Sequence, residues 1–185
     1  DYYFKSNYWS SEQYPSKVYP LHNGSGLFSA DKIKFVKRLR NQPKKYDILM
    51  MSRLWSDSLD HNIQLFTALH KIDRPKFLFA SSPSYRSSER TRAACDSITA
   101  LGTPCTDKTL PFVDMWQAIA ATKLVIIRLG KFYSVPWRLN EMLAIGAAIV
   151  FDCEPKVQLM YPLKRGQNYF CLDLTRDKQT GSATN

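Results

Sequence analysis

Four short runs with continuous apolar centres limit this chain's fold more than any other feature: "YDILMM" (46–51), "KFLFAS" (76–81), "KLVIIRL" (123–129) and "AIVFD" (148–152). A strand with one wet face alternates apolar and polar residues; a strand covered on both faces does not. Amphipathic segments separate the runs. "HNIQLFTALHKI" (61–72) places Ile63, Phe66, Leu69 and Ile72 on one face, with Asp60 as the expected cap. "ERTRAACDSITAL" ends at Gly102, "FVDMWQAIAAT" follows, and "WRLNEMLAI" closes at Gly146. Strand, helix, strand in this rhythm predicts an α/β fold, a Rossmann-like parallel sheet with helices on both faces. Ligands of such a sheet lie at the carboxyl ends of its strands.

The sheet domain is expected over residues 46–174. A short strand is read near "TPCTD", a turn or short helix at "KVQLMYP", and a last strand at "NYFCLDL". Residues 1–45 read as an arm or connection with one helix, Phe28 to Leu39, capped by Ser29. Residues 175–185 read as a frayed tail.

An apolar share of 44 % puts the chain outside the disordered class, and no apolar run reaches membrane-spanning length. The net charge of +10 favours anionic partners, and much of it sits in "DKIKFVKRLRNQPKKYD" (31–47). That segment reads as a solvated helix face or as a peripheral membrane contact. The four cysteines, at 95, 105, 153 and 171, form no CxxC and no metal spacing, so buried free thiols are expected. His22, His61 and His70 are dispersed and read as surface residues.

There is no GxGxxG, no GxxxxGK[ST], no GxSxG and no DxD pair. The chemistry left is basic and polar residues at strand ends. Arg53 follows the first strand, where a guanidinium fork can grip a diphosphate. Lys131 follows Gly130, whose missing side chain allows close backbone approach to a ligand. Ser134 precedes "VPWRLNE", where Pro136 suits a first helical turn and backbone amides can hold a phosphate. Arg138 and Glu141 share a helix face, as a local ion pair or as phosphate and ribose contacts. The spacing alone leaves both open.

The run "VPWRLNEMLAIGAAIVFD" resembles the donor-site segment of GT-B glycosyltransferases, whose common form is "E-a-L-a-x-G-x-x-v-v". It reads here from Glu141 through Gly146 to Val150. "MMSRL" is similar to the first strand and "G-R-L" loop of the donor-binding domain, with Ser52 in place of the usual Gly. "DYYFKSNY" and "KKYDILMMSRL" further resemble CgeB-like and exostosin-like bacterial members, alongside the group 1 enzymes.

The resemblance implies the C-terminal half of a two-domain enzyme that transfers sugar from a nucleotide diphosphate sugar to a glycan, lipid or protein acceptor. It implies Glu141 at the donor ribose, Arg53 at the diphosphate, Lys131 and Arg138 as further donor contacts, and Leu110 and Phe112 near the base; Ser134 joins the donor contacts on the reading of the helix start. It implies no metal cofactor, a cytoplasmic place at or near the inner membrane surface, and an N-terminal acceptor domain beyond this chain. No catalytic residue is assigned, because the base of such enzymes usually comes from that other domain. The reading from another class is a noncatalytic nucleic-acid- or polyanion-binding α/β domain, to which the positive charge points. The resemblance itself implies no nucleic-acid partner. A fold retained after loss of its donor is the third.

Overall fold

A computed structural model describes the chain except for residues 1–2, 6–7, 10–12, 21–28, 56–58, 83–88, 131–132, 160–161 and 175–185. The expected runs become strands β4 (Tyr46–Arg53), β5 (Lys76–Ser81), β7 (Thr122–Ile127) and β8 (Ala148–Phe151). Two short strands complete the main sheet, β6 (Cys105–Thr106) and β10 (Phe170–Cys171). All pairs are parallel, in the order β10-β8-β7-β4-β5-β6. This is the doubly wound arrangement: the chain starts at the centre, winds to one edge, returns and winds to the other. The order reverses between β4 and β7.

Helices cover both faces, as the continuous apolar strands require. On one face lie α1 (Ala30–Leu39), α4 (Phe112–Ala120) and α5 (Leu139–Ile145), around a core that includes Val36, Trp116, Ile119 and Ile145. On the other lie α2 (Leu59–His70) and α3 (Glu89–Ala100), around Phe66, Leu69, Cys95 and Ile98. Ser29 caps α1, its hydroxyl accepting the Lys32 amide at 3.3 Å. Val36 and Leu39 of α1 are buried against the α4–α5 layer, so this helix packs into the sheet domain.

Several expectations change. Asp60 lies inside the first turn of α2, and Ile72 is exposed beyond its end. "KVQLMYP" contains a strand, β9 (Val157–Gln158), paired antiparallel with β2 (Tyr8–Trp9). A turn was expected because the segment is short and its partner stands almost a full chain length away. The remaining pair, β1 (Tyr3–Lys5) and β3 (Val18–Pro20), is parallel.

Cys95 and Cys105 are not free thiols but a disulfide, with Cα atoms 5.6 Å apart. The tight turn at Gly102 (φ +89°) folds β6 back beside α3 and brings the two residues within bonding geometry. Cys153 and Cys171 form no disulfide among the described residues. His61 and His70 are part-buried and bonded: His70 Nε2 lies 2.8 Å from Thr103 Oγ1, and His61 Nε2 lies 2.8 Å from Asp152 Oδ2. A lone histidine gives no sequence sign of a partner so distant. No described helix is long and apolar enough to cross a membrane.

Candidate functional site

A cavity of about 370 Å³ opens at the carboxyl ends of β4 and β7, where the strand order reverses. Strand order alone dictates a crevice there, because the helices after β4 and β7 leave to opposite faces. Its floor is apolar, with Leu49, Met51, Phe79 and Val125. Its charge comes from three arginines, Arg53, Arg128 and Arg138, and none of the described lining residues is Asp or Glu.

Arg53 is the last residue of β4, one step earlier than a post-strand loop would place it, and it is exposed. Its guanidinium stands 4.8 Å from the ring centre of Trp55, which is 48 % exposed. Arg138 stands 5.1 Å from the ring centre of Trp137, itself 40 % exposed. Two cation–π pairs therefore present two guanidiniums at one cavity with their heads oriented. Burial pulls the Arg138 pKa down, Glu141 pushes it up, and Arg53 pulls it down. Mutual repulsion between Arg53 and Arg138 marks a place where an anion is welcome.

Glu141 does not line the cavity. It is fully buried in α5, and Trp116 Nε1 of α4 donates a 2.8 Å hydrogen bond to its Oε2. The negative charge is thereby held behind Arg138.

Leu110 lines the cavity beside Thr109. Phe112 stands outside the lining, 47 % exposed, with ring centres 6.0 Å from both Trp116 and Trp137. Lys131 falls outside the described residues. Ser134 closes a turn: its carbonyl accepts the Gly130 amide at 2.8 Å, and a Cβ on Gly130 would come 2.5 Å from Ser134 Oγ. The close approach that Gly130 permits is thus taken by Ser134. Part of the expected amide cradle before α5 is taken up by the turn itself. The Leu139 amide bonds the Pro136 carbonyl, and the amides of Glu141 and Met142 bond the Arg138 carbonyl.

Behind the cavity runs a buried polar layer. Asp152, fully buried at the end of β8, accepts the Leu129 amide at 2.9 Å beside its contact with His61. Ser52 of β4 donates to Asn62 Oδ1 at 2.9 Å. These contacts fix the strand ends that carry Arg53 and Arg128. Among the described residues, Glu154, Cys171 and Asp173 cluster closely enough to offer metal ligands. Arg165 pairs with both carboxylates and the Tyr169 hydroxyl donates to Glu154, so the cluster already holds its own cation.

Arg128, Trp55, Trp137 and Asp152 were not singled out from sequence. Arg128 reads there as one more residue of "KLVIIRL", although its position at the end of a central strand was the signal.

No protein-family model matches the sequence, and no curated protein is similar enough to count as a relative. Among solved structures, the chain is similar to a glycosyltransferase from Rickettsia africae ESF-5, at 16 % identity and a TM-score of 0.44 over 73 % of this chain. It is similar to the lipopolysaccharide outer core galactosyltransferase WaaB in its apo form, at 15 % identity and TM-score 0.49 over 84 %. A third is Anabaena Alr3699/HepE in complex with UDP and glucose, at 16 % and 0.46 over 84 %. The chain spans 38 %, 42 % and 43 % of those proteins, less than half of each. At this level the likeness extends to general shape and no further.

Proposed function

We propose that this chain is the donor-binding half of a glycosyltransferase and that its cavity takes a nucleotide diphosphate sugar. The observation that carries the reading is the pair Arg53 and Arg138, each stacked on an exposed tryptophan, at the reversal of a doubly wound sheet. Their forks suit the diphosphate, and a carboxylate-free described lining lets arginine supply the counter-charge without a metal ion. The apolar floor and Leu110 suit the base. Glu141 is the proposed ribose contact, reached once α5 shifts. Lys131 and Ser134 are proposed as further donor contacts from the loop before α5. The acceptor is a glycan, lipid or protein held largely by groups outside the described cavity.

The test is thermal stabilisation by UDP, GDP, ADP and CMP at equal concentration. A ligand at a hundred times its Kd stabilises the fold by about 2.7 kcal/mol. One diphosphate is expected to raise the melting temperature clearly above CMP, with Arg53→Gln and Arg138→Gln each removing most of the shift. If no nucleotide shifts the wild-type melt, the donor-site reading fails. If Trp116→Phe strengthens ribose-dependent binding while Glu141→Gln weakens it, Glu141 is the ribose contact.

A further inference from the structure

One wall of the cavity hangs on the disulfide. The chain leaves β6 at Thr106, passes over the carboxyl ends of the strands and enters α4 at Phe112. On the way it brings Thr109 and Leu110 to the cavity, four and five residues after Cys105. The strand behind that wall is a slender support. β6 is two residues long, lies at the sheet edge, and meets β5 in two residue pairs. The Ala80 and Ser82 amides donate to the Pro104 and Thr106 carbonyls, at 3.0 and 2.8 Å.

The bond from Cys105 to Cys95 adds the firm anchor, because Cys95 sits in the buried face of α3 with Ala94 and Ile98. Upstream of Cys105 the chain has other holds. The Thr103 amide donates to the Ile98 carbonyl at 3.2 Å, and Thr103 Oγ1 pairs with His70 Nε2. Opening the disulfide therefore leaves α3 and the turn at Gly102 in place. It loosens the chain from Cys105 onward, where Thr109 and Leu110 follow.

The two sulfurs differ in access. Cys95 is 2 % exposed, whereas Cys105 is half-buried. A dithiol reductant attacks the Cys105 sulfur, and the Cys95 sulfur leaves as its thiolate. The second thiolate of the reductant then attacks its own sulfur in the mixed disulfide and releases Cys105. Two electrons and two protons pass to the cysteines, and the reductant becomes a cyclic disulfide.

Resting on the donor-site reading above, we infer that the Cys95–Cys105 bond is a redox switch on donor binding. Oxidised, it holds Thr109 and Leu110 against the bound donor; reduced, it releases that wall and the donor is held less tightly. A dithiol reductant is the class of regulator. The coupling runs both ways, so a donor that prefers the oxidised form protects the bond by the same factor.

The experiment is calorimetric titration of the intact chain with UDP and with GDP, oxidised and in excess dithiothreitol. It is run well below the melting temperature of both forms, with circular dichroism reporting the fold. The nucleotide that binds is expected to bind the reduced chain at least about fivefold more weakly, the lower end of ordinary coupling between two sites. The double variant Cys95→Ala, Cys105→Ala is expected to bind as the reduced chain does and to ignore dithiothreitol. In a buffer of reduced and oxidised dithiothreitol, saturating nucleotide is expected to make the bond harder to reduce by the same factor. Fivefold corresponds to a shift of about 20 mV for this two-electron couple.

Equal affinity of the two forms, or tighter binding by the reduced one, overturns the inference and leaves the donor-site reading standing. Loss of the whole fold on reduction overturns it as well, since the bond is then a general staple. Failure of UDP and GDP alike to bind the oxidised chain removes the donor-site reading and the inference together. The wild-type comparison decides the matter even if the double variant does not fold.

Discussion

The two flanks of the sheet are secured in different ways at the edge where the cavity opens. On the β5–β6 side, the Cys95–Cys105 bond ties the helix α3 to the strand that follows it, ten residues on. On the β7–β8 side the tie is a buried carboxylate: Asp152 gathers the Leu129 amide, and the His61 ring from 91 residues away. The covalent tie is local and could form before the sheet is complete. The carboxylate tie exists only once β4, α2, β7 and β8 are all in place. The side that carries Arg128 and Arg138 is therefore the side whose integrity depends on long-range polar contacts.

Breaking the carboxylate tie should have the largest effect. Asp152→Ala removes the acceptor for a buried amide and for His61, and should cost about 3–5 kcal/mol by denaturant unfolding. Asp152→Asn keeps an acceptor and should cost less. If both cost under about 1 kcal/mol, the contrast between the flanks disappears.

The covalent tie comes next. Replacing Cys95 and Cys105 together by Ala opens a short loop, for which chain entropy gives about 2–3 kcal/mol. The same loss should appear in wild type on adding reductant, and the double variant should be indifferent to it.

Trp116→Phe sharpens the comparison on the carboxylate side, since it deprives buried Glu141 of its indole donor. A cost of about 1–2 kcal/mol is expected, less than for Asp152, which loses more partners at once.

The smallest effect is that of pH. The side-chain hydrogen bond from Lys123 holds Asp47 below the usual carboxylate range, and that from Arg165 does the same for Asp173. A depressed carboxylate adds stability above its unfolded pKa, about 3.9, and loses it as pH falls through the folded value. Stability should therefore slope down through that acid window, and the double variant Asp47→Asn, Asp173→Asn should flatten the slope slightly. An unchanged slope would sink the assignment.

The sequence made the sheet legible because burial on both faces leaves its mark within each strand: "KFLFAS" is β5 residue for residue. Arg53 was visible for the same reason, being fixed to the end of such a run. The contacts that complete the site join residues far apart. Nothing around His61 announces Asp152, and nothing around Glu141 announces Trp116. The α5 start misleads in a physical way, since Arg138 and Glu141 share a face by spacing, yet only Arg138 reaches the cavity while the carboxylate turns to α4. The disulfide was hidden because ten residues separate its cysteines without any recognised motif.

The strand order has a consequence for how the molecule is made. β4 is the first strand of the sheet to be synthesised, yet it ends at the centre, paired on one side with β5 and on the other with β7. During vectorial synthesis β5 arrives early, while β7 follows only after α3, β6 and α4. Until then one edge of β4 stays open, a row of unpaired amides and carbonyls flanked by apolar side chains. Completing the sheet also waits on a large loop closure, which slows folding and prolongs that exposure. A nascent chain stalled before residue 122 should therefore be the form most prone to self-association or capture by a chaperone.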